Sequence, residues 1–444
     1  LGSPGKSLEP GSLKMASFGL WPPRLGGTHG GLAVLRIGYH ATIVWMLYDL
    51  WEWRGSAFSS HPFLGVALLL VGSVVNLMLV AGCWTRPLLI VNALFLRVLF
   101  LFCEDPYTVD DVVQYFSIVL AFAPEPRAFS VDSFRRGENV PTAPLPFGFV
   151  LFVYTCLALL YEDSVYFKIH SQVWRNGSAF WLGAALPFTG WTTGLPHWSE
   201  HVFLMKALTW GALAYEASFP LILIPVLRKP LLLIGLAVHT GSGIYLPLPQ
   251  FSLAMVALLC LFIPAELWRG GPRGAEEPPK WEAGLPGYAL IGLTIVSQFS
   301  LHAAGPNLLS RAIGTQEWQI FVDWHFTLAT PLYRFTLTAP GPERAIPSFD
   351  ELGRPTTHDR YWKCMGFGLR SAARPEFRIG HYVRGWLERE GLTSATVRVD
   401  CKDIRLPTLE IDFNLPPALR ARPWRGCGEL SFTREAIRGS VGPR

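Results

Sequence analysis

Charge is what this chain has least of. Only 16% of its 444 residues are Asp, Glu, Lys or Arg, where a soluble protein of this size carries about a quarter. The shortfall is local, because residues 1–304 are about 12% charged and residues 305–444 about 25%. Half of the chain is hydrophobic, with 17 Trp and 29 Phe. These proportions exclude a disordered chain, a coiled coil and a simple soluble enzyme. They leave room for a helical membrane bundle followed by one compact polar domain.

Cysteine is also scarce and scattered. The seven cysteines form no CxxC and no Cys/His group with zinc spacing, which excludes a disulfide-built miniprotein and a zinc module. Cys83, Cys103, Cys156 and Cys260 lie in apolar runs, where a thiol behaves as a small hydrophobe. Nucleotide, zinc-protease and hydrolase chemistry lack their signatures: there is no Walker loop, no GxGxxG after a strand, no HExxH and no GxSxG. No repeat of 20–50 residues and no heptad run appears. The net charge is +5, but the basic residues sit at the ends of apolar runs rather than in one stripe, so nucleic acid is not an implied partner.

What the chain does have is apolar length. Runs suited to a bilayer occur near 32–50, 63–83, 87–103, 111–124, 146–161, 201–226, 230–247, 250–267 and 286–304, which predicts about nine spans. The fourth is short and preceded by Asp110 and Asp111. GSAFWLGAALPF, 177–188, is too short to cross and reads as a re-entrant or interfacial segment. Residues 1–31 read as an N-terminal arm; the chain opens LGSPGKSLEPGSLK and its first methionine is Met15.

Basic residues set the orientation, since Lys and Arg are retained in cytoplasmic loops. An N-terminus on the cytoplasmic side gathers Lys6, Lys14, Arg24, Arg86, Arg127, Arg135, Arg136, Arg228, Lys229, Arg269, Arg273 and Lys280 into cytoplasmic segments. The opposite loops keep only Arg54, Lys168 and Arg175. This bias predicts that residues 305–444 lie on the non-cytoplasmic side, where Cys364, Cys401 and Cys427 would meet an oxidising space. The one sequon, Asn176-Gly177-Ser178, falls on the same side.

Past Gly305 the pattern changes to that of an extramembrane α+β domain. Residues 321–339 have the β-branched and aromatic content of one or two strands, 393–406 alternates like another, and 376–391 places Phe377, Ile379, Tyr382, Val383, Trp386 and Leu387 mostly on one helical face. The predicted organisation is an arm over 1–31, a helical membrane bundle over 32–304 and an α+β domain over 305–444.

Ionisable residues within apolar spans are costly and face a cavity or one another. Arg36, His40, Arg97, Glu162, Asp163, Lys168, His170, Lys206, Glu216, His239 and His302 occupy such positions. Each has a structural reading: snorkelling, solvation at a span end, or one interhelical hydrogen bond. Two groups invite chemistry. YEDSVYFKIHSQVWRNGSAFW, 161–181, gathers carboxylates, Lys168, His170 and tryptophans where the fifth run ends. A lysine against apolar surface becomes a better base or nucleophile, and Glu162 or Asp163 would oppose this by pairing with it. Glu216 and His239 lie in successive runs, with Gly241, Ser242 and Gly243 permitting close helix approach. They form either a proton-handling pair or a structural hydrogen bond. Lys168, His170, Glu216 and His239 are therefore the candidate site.

In their order, these features resemble the vitamin K-dependent gamma-carboxylase and its bacterial relatives, the horizontally transferred transmembrane domain proteins. LAVLRIGYHATIVW resembles the family's opening span. VAGCWTRPLLIVNALFLRVLF, followed by an acidic turn and LAFAPEPRAFSVDSF, resembles its glycine, basic turn, span and Ser-x-Asp loop. Tyr161, Lys168, Trp174 and Gly177 match its Tyr, Lys, Trp, Gly run; Glu216 and His239 fall where it places an acidic residue and a histidine on successive spans. In the tail, RYWKCMGFGLRSAARPEF, a helix and VRVDCKDIRL are similar to its luminal domain. The resemblance implies Lys168 as the base that deprotonates a quinone-family lipid in its reduced form, such as reduced vitamin K.

Three departures argue against glutamate carboxylation itself. Ile169 stands where the carboxylase has a second lysine. Glu162, Asp163 and Ser164 replace its small-residue step. Val109, Asp110 and Asp111 offer no histidine at the start of the fourth span. The reading left by the resemblance is a lipid-quinol-linked or proton-abstracting enzyme. A non-catalytic subunit holding membrane-protein partners is the alternative, with membrane lipids as surroundings in either case. A transporter is disfavoured because no inverted repeat or broken pair of spans stands out.

Overall fold

The protein is described here from a computed structural model of residues 1–444. It describes residues 27–52, 54, 58, 61–103, 108–180, 201–245, 249–264, 285–305, 332–339, 343–346, 387, 391–402, 425–433 and 437–438. The arm up to residue 26, the stretch 181–188, residues 321–331, most of the expected helix 376–391 and Cys364 lie outside these residues.

Each of the nine apolar runs contains helix. The elements are α1 (29–52), α2 (62–81), α3 (85–102), α4 (108–120), the short α5 (131–135), α6 (147–170), the short α7 (172–175), α8 (202–218) with a 3-10 turn over 219–223, α9 (225–245), α10 (249–260) and α11 (285–304). Among the described residues four helices, α1, α2, α3 and α6, are long and apolar enough to cross a membrane. The 12 residues of α10 rise only about 18 Å, short of the roughly 30 Å hydrocarbon layer. Nine of those residues are buried, Gln250 and Ser252 included, so α10 is an internal helix enclosed by others.

Packing separates inner from outer helices. Two-thirds of the apolar windows of α1 and α6 are buried, against one-third of that of α2. Glycine lets α1 meet α10 closely: a Cβ on Gly31 would lie 2.9 Å from the Cys260 carbonyl oxygen, and one on Gly38 would lie 3.0 Å from the Ala257 Cβ. Apolar side chains such as Leu70, Val74 and Leu77 on α2 and Leu94 and Leu101 on α3 remain exposed, which is compatible with contact to lipid.

The turn between α2 and α3 is fastened to the loop before α5. Helix α2 ends at Gly82, whose φ of +74° favours glycine; its N–H donates to the Leu79 carbonyl and that of Cys83 to Met78. The buried Arg36 guanidinium donates to the carbonyls of Leu79 (2.5 Å), Val80 (2.9 Å) and Phe129 (2.5 Å). It thereby satisfies the end of a helix dipole with a cation. From the other side Asp132 accepts from the N–H groups of Trp84 (2.9 Å) and Thr85 (2.8 Å) and from the Thr85 hydroxyl (3.0 Å), capping α3. Ser130 and Ser133 complete a reciprocal capping box on α5. The start of α1 joins the same end, where the His29 N–H donates to the Ala143 carbonyl and the Gly30 N–H to Pro141. Three loops separated in sequence are thus brought to one end of the bundle.

The C-terminal residues described form a five-stranded antiparallel sheet in the order β2-β1-β3-β4-β5: β1 (332–339), β2 (344–346), β3 (394–402), β4 (425–433) and β5 (437–438). Both expected strands are present, the first over its C-terminal part. The β3–β4 register sets Cys401 opposite Arg425 and makes Cys427 the extra residue of a bulge.

Asp132 carries a pH dependence. Its partial burial acts to raise its pKa, but the hydrogen bonds from Thr85 and Trp84 and the charge of Arg136 outweigh this and hold it below the ordinary carboxylate value. A depressed folded pKa gives stability that is present above the unfolded value, about 3.9, and is lost as pH falls through the folded one. Asp132→Asn keeps one acceptor oxygen but loses the charge and the second acceptor, and is expected to lower thermal stability in detergent at pH 7 by about 0.5–1.5 kcal/mol, with the deficit shrinking below about pH 4. Melting curves from pH 3 to pH 8 check this; a deficit independent of pH would contradict it.

Candidate functional site

The C-terminal half of α6 presents two faces. Tyr161, Ser164 and Lys168 follow one another at helical spacing and line a cavity, as positions i, i+3 and i+7 must on one side of a helix. Beyond α6, Gly177 turns the chain with φ +81°. A Cβ there would lie 2.8 Å from Lys206 Cγ, so glycine lets the turn lie against α8. The turn brings Ala179 and Phe180 to the cavity, and the Phe180 N–H donates to the Thr209 hydroxyl of α8 at 3.1 Å. Helix α8 supplies Glu216, α9 supplies His239 and Ser242, and α10 supplies Phe251.

Lys168 is the costliest of these side chains to bury. It is 1% exposed, and its Nζ donates to both Glu216 oxygens at 2.6 Å. The Glu216 side chain is only 12% exposed. Nζ also lies 4.5 Å from the centre of the Trp174 ring, a cation–π contact. An ammonium removed from water therefore has a bidentate carboxylate on one side and an aromatic face on another. Such a pair offsets its desolvation only with this completeness of contact.

A second polar pair closes the same cavity. The Tyr161 hydroxyl and His239 Nε2 are 2.6 Å apart, both side chains buried. Around them lie Tyr215, Phe219 and Phe251, with ring centres 4.7–6.2 Å from Tyr161 or His239. A Cβ on Gly235 would lie 2.1 Å from the Tyr215 hydroxyl, so the absence of a side chain there makes room for that ring. The cavity is open on one side, and the free space inside it is about 40 Å³. Aromatic walls with two acid–base pairs suit a flat, weakly acidic ligand.

Three of the four expected site residues, Lys168, Glu216 and His239, converge here. His170 does not: it is exposed, with Nδ1 2.6 Å from the Tyr166 carbonyl oxygen, and it lies outside the cavity lining. Two residues after Lys168, it is turned about 200° around the helix axis and faces away. Glu162 is exposed, whereas Asp163 pairs with His302 of α11. Neither is the partner of Lys168, a role that falls to Glu216. His40 is hydrogen-bonded to Asn76 at 2.8 Å and Arg36 caps α2, both structural roles. Ser164, Tyr215, Ser242 and Phe251 were not among the expected residues. Ser164 and Ser242 were findable as the neighbours three residues on from Tyr161 and His239; Tyr215 and Phe251 carry no polar signal of a site.

Among the described residues no group of three or more His, Cys, Asp or Glu is placed to hold a metal ion. Comparisons with protein-family models, curated proteins and solved structures return no match.

Breaking the ion pair from one side strands a buried charge. Glu216→Gln is expected to destabilise the protein by roughly 3–5 kcal/mol, and the double variant Lys168→Met/Glu216→Met to recover most of that loss. Thermal melts of both variants in one detergent check this. A double variant as unstable as Glu216→Gln would contradict the pairing.

Proposed function

We propose that this is a membrane enzyme that withdraws a proton from a reduced lipid quinol. The carrying observation is a buried Lys168, paired with Glu216, in the aromatic-lined cavity that also holds the Tyr161–His239 hydrogen bond. On this reading the chain crosses the membrane about nine times and resembles the gamma-carboxylase-like family, with the cavity near the non-cytoplasmic face. The convergence of Tyr161, Lys168, Trp174, Glu216 and His239 supports the resemblance, because the residues that carried it meet in one place.

The lining fits a quinol ring: Trp174, Phe180 and Phe251 supply aromatic surface, and the two polar pairs can each meet a hydroxyl. A bound hydroquinone supplies two weakly acidic protons and, with dioxygen as the acceptor that becomes hydrogen peroxide, two electrons. Within the Lys168–Glu216 pair a proton can pass along the 2.6 Å contact from the ammonium to the carboxylate, leaving a neutral amine and a carboxylic acid with no change in net charge. The neutral amine then accepts a proton from a ligand hydroxyl; the ammonium so formed is balanced by the ligand oxyanion left behind, while Glu216 keeps the first proton as a carboxylic acid. Tyr161 and His239 exchange a proton across their hydrogen bond and hold the second hydroxyl. Trp174 keeps Nζ against an aromatic face and limits water at the amine.

The test is oxidation of a short-chain naphthohydroquinone and a benzohydroquinone by purified protein in air, followed by quinone absorbance. The Lys168→Met/Glu216→Met variant, folded by its melting curve, is expected to lose at least about 100-fold in rate, and His239→Gln about 10–100-fold, as removal of an acid–base group does. Turnover unchanged in both variants would refute the assignment.

A further inference from the structure

The fastened end of the bundle has a feature its packing does not require. Among the described residues two non-glycine residues have positive φ, Trp84 at 46° and Phe129 at 47°. Left-handed backbone is unfavourable for bulky side chains and collects at functional positions. Both residues belong to the same fastening: Asp132 binds the Trp84 N–H, and Arg36 binds the Phe129 carbonyl. Both side chains point outward, Trp84 64% and Phe129 50% exposed, beside Phe134 at 84%. The two left-handed residues are therefore held by polar bonds to Asp132 and Arg36, and their rings are presented to the outside.

The charge around these rings is one-sided. Arg86 follows the capped Thr85, and Arg135 lies one helical turn after Asp132; both are exposed. Neither meets an ion-pair partner among the described residues. Arg136, in contrast, is bound to Glu125 (2.7 Å) and Glu138 (3.3 Å), and the carboxylate of Asp132 is taken up by the α3 cap. Exposed aromatic rings flanked by guanidinium groups that meet no ion-pair partner among the described residues, at the end of helices with exposed apolar faces, match the polar–apolar boundary of a membrane. Rings of this kind settle at headgroup level, and arginine grips phosphate oxygens in bidentate fashion.

We propose that Trp84, Phe129, Phe134, Arg86 and Arg135 form a binding site for the headgroup of an anionic phospholipid. The rings fix the depth of this end of the bundle, and the two guanidinium groups select a negatively charged headgroup over a zwitterionic one. The site is at the opposite end of α6 from Lys168 and is independent of the quinol reading.

Native mass spectrometry of the full chain, released from nanodiscs of phosphatidylcholine with an equal share of phosphatidylglycerol, tests this. The wild type is expected to retain phosphatidylglycerol preferentially. Arg86→Gln/Arg135→Gln should lose that preference, by about five-fold for each arginine removed. Trp84→Gly should weaken retention while keeping or raising the melting temperature, because glycine accepts the left-handed backbone. Equal retention of the two lipids by the wild type, an unchanged preference in the double arginine variant, or a Trp84→Gly protein that melts lower and retains lipid normally would each overturn the proposal.

Discussion

A lysine ammonium carried out of water must bring its counter-charge with it, and the contact between Lys168 and Glu216 is where this protein meets that constraint. Both oxygens of the carboxylate lie 2.6 Å from Nζ, and Trp174 covers another side. The two partners come from α6 and α8, and neither helix can slide along the other without separating them. The close packing around them follows from the same demand. Gly177 lets the turn after α6 lie against α8, and Gly235 leaves space for Tyr215 beside Tyr161. The cavity is thus a consequence of holding one ion pair and one Tyr–His hydrogen bond among aromatic rings.

The opposite end of the bundle is organised by a different economy of polar groups. There Arg36 and Asp132 satisfy a helix C-terminus and a helix N-terminus that would otherwise leave carbonyls and N–H groups without partners. The two side chains act on one turn: Arg36 reaches the end of α2, and Asp132 the start of α3. This positions the α2–α3 hairpin, whose exposed faces are apolar, against α1. Rigid polar fastening at one end and a cavity near the C-terminus of α6 at the other are compatible because α6 starts beside the first and ends beside the second.

Much of this was legible in the sequence, for identifiable reasons. Apolar runs gave away each of the longer helices among the described residues, because burial in lipid or protein demands apolar length; the short α5 and α7 lie outside those runs. Alternation gave away β3, the central strand of the sheet. Lys168, Glu216 and His239 stood out because ionisable residues are expensive in apolar segments. His170 was drawn in by its nearness along the chain, although two helical steps turn it away from Lys168. The choice of Glu216 over Glu162 or Asp163 as the partner of Lys168 was beyond the sequence, since it depends on how α8 lies against α6. The fastening by Arg36 and Asp132 was equally hidden: Arg36 and Leu79 are 43 residues apart, and Asp132 and Thr85 are 47. Nothing in the local pattern distinguishes a helix-capping arginine from one that snorkels.

The central claim is that the cavity beside Lys168 binds a flat, weakly acidic ring. The most direct measurement is a density map of the protein purified from its own membrane in mild detergent. The account predicts planar non-protein density between Trp174 and Phe251, within hydrogen-bonding distance of Lys168 Nζ and of the Tyr161–His239 pair. A cavity that is empty or filled by an acyl chain, with other protein chains packed on the bundle, would contradict it.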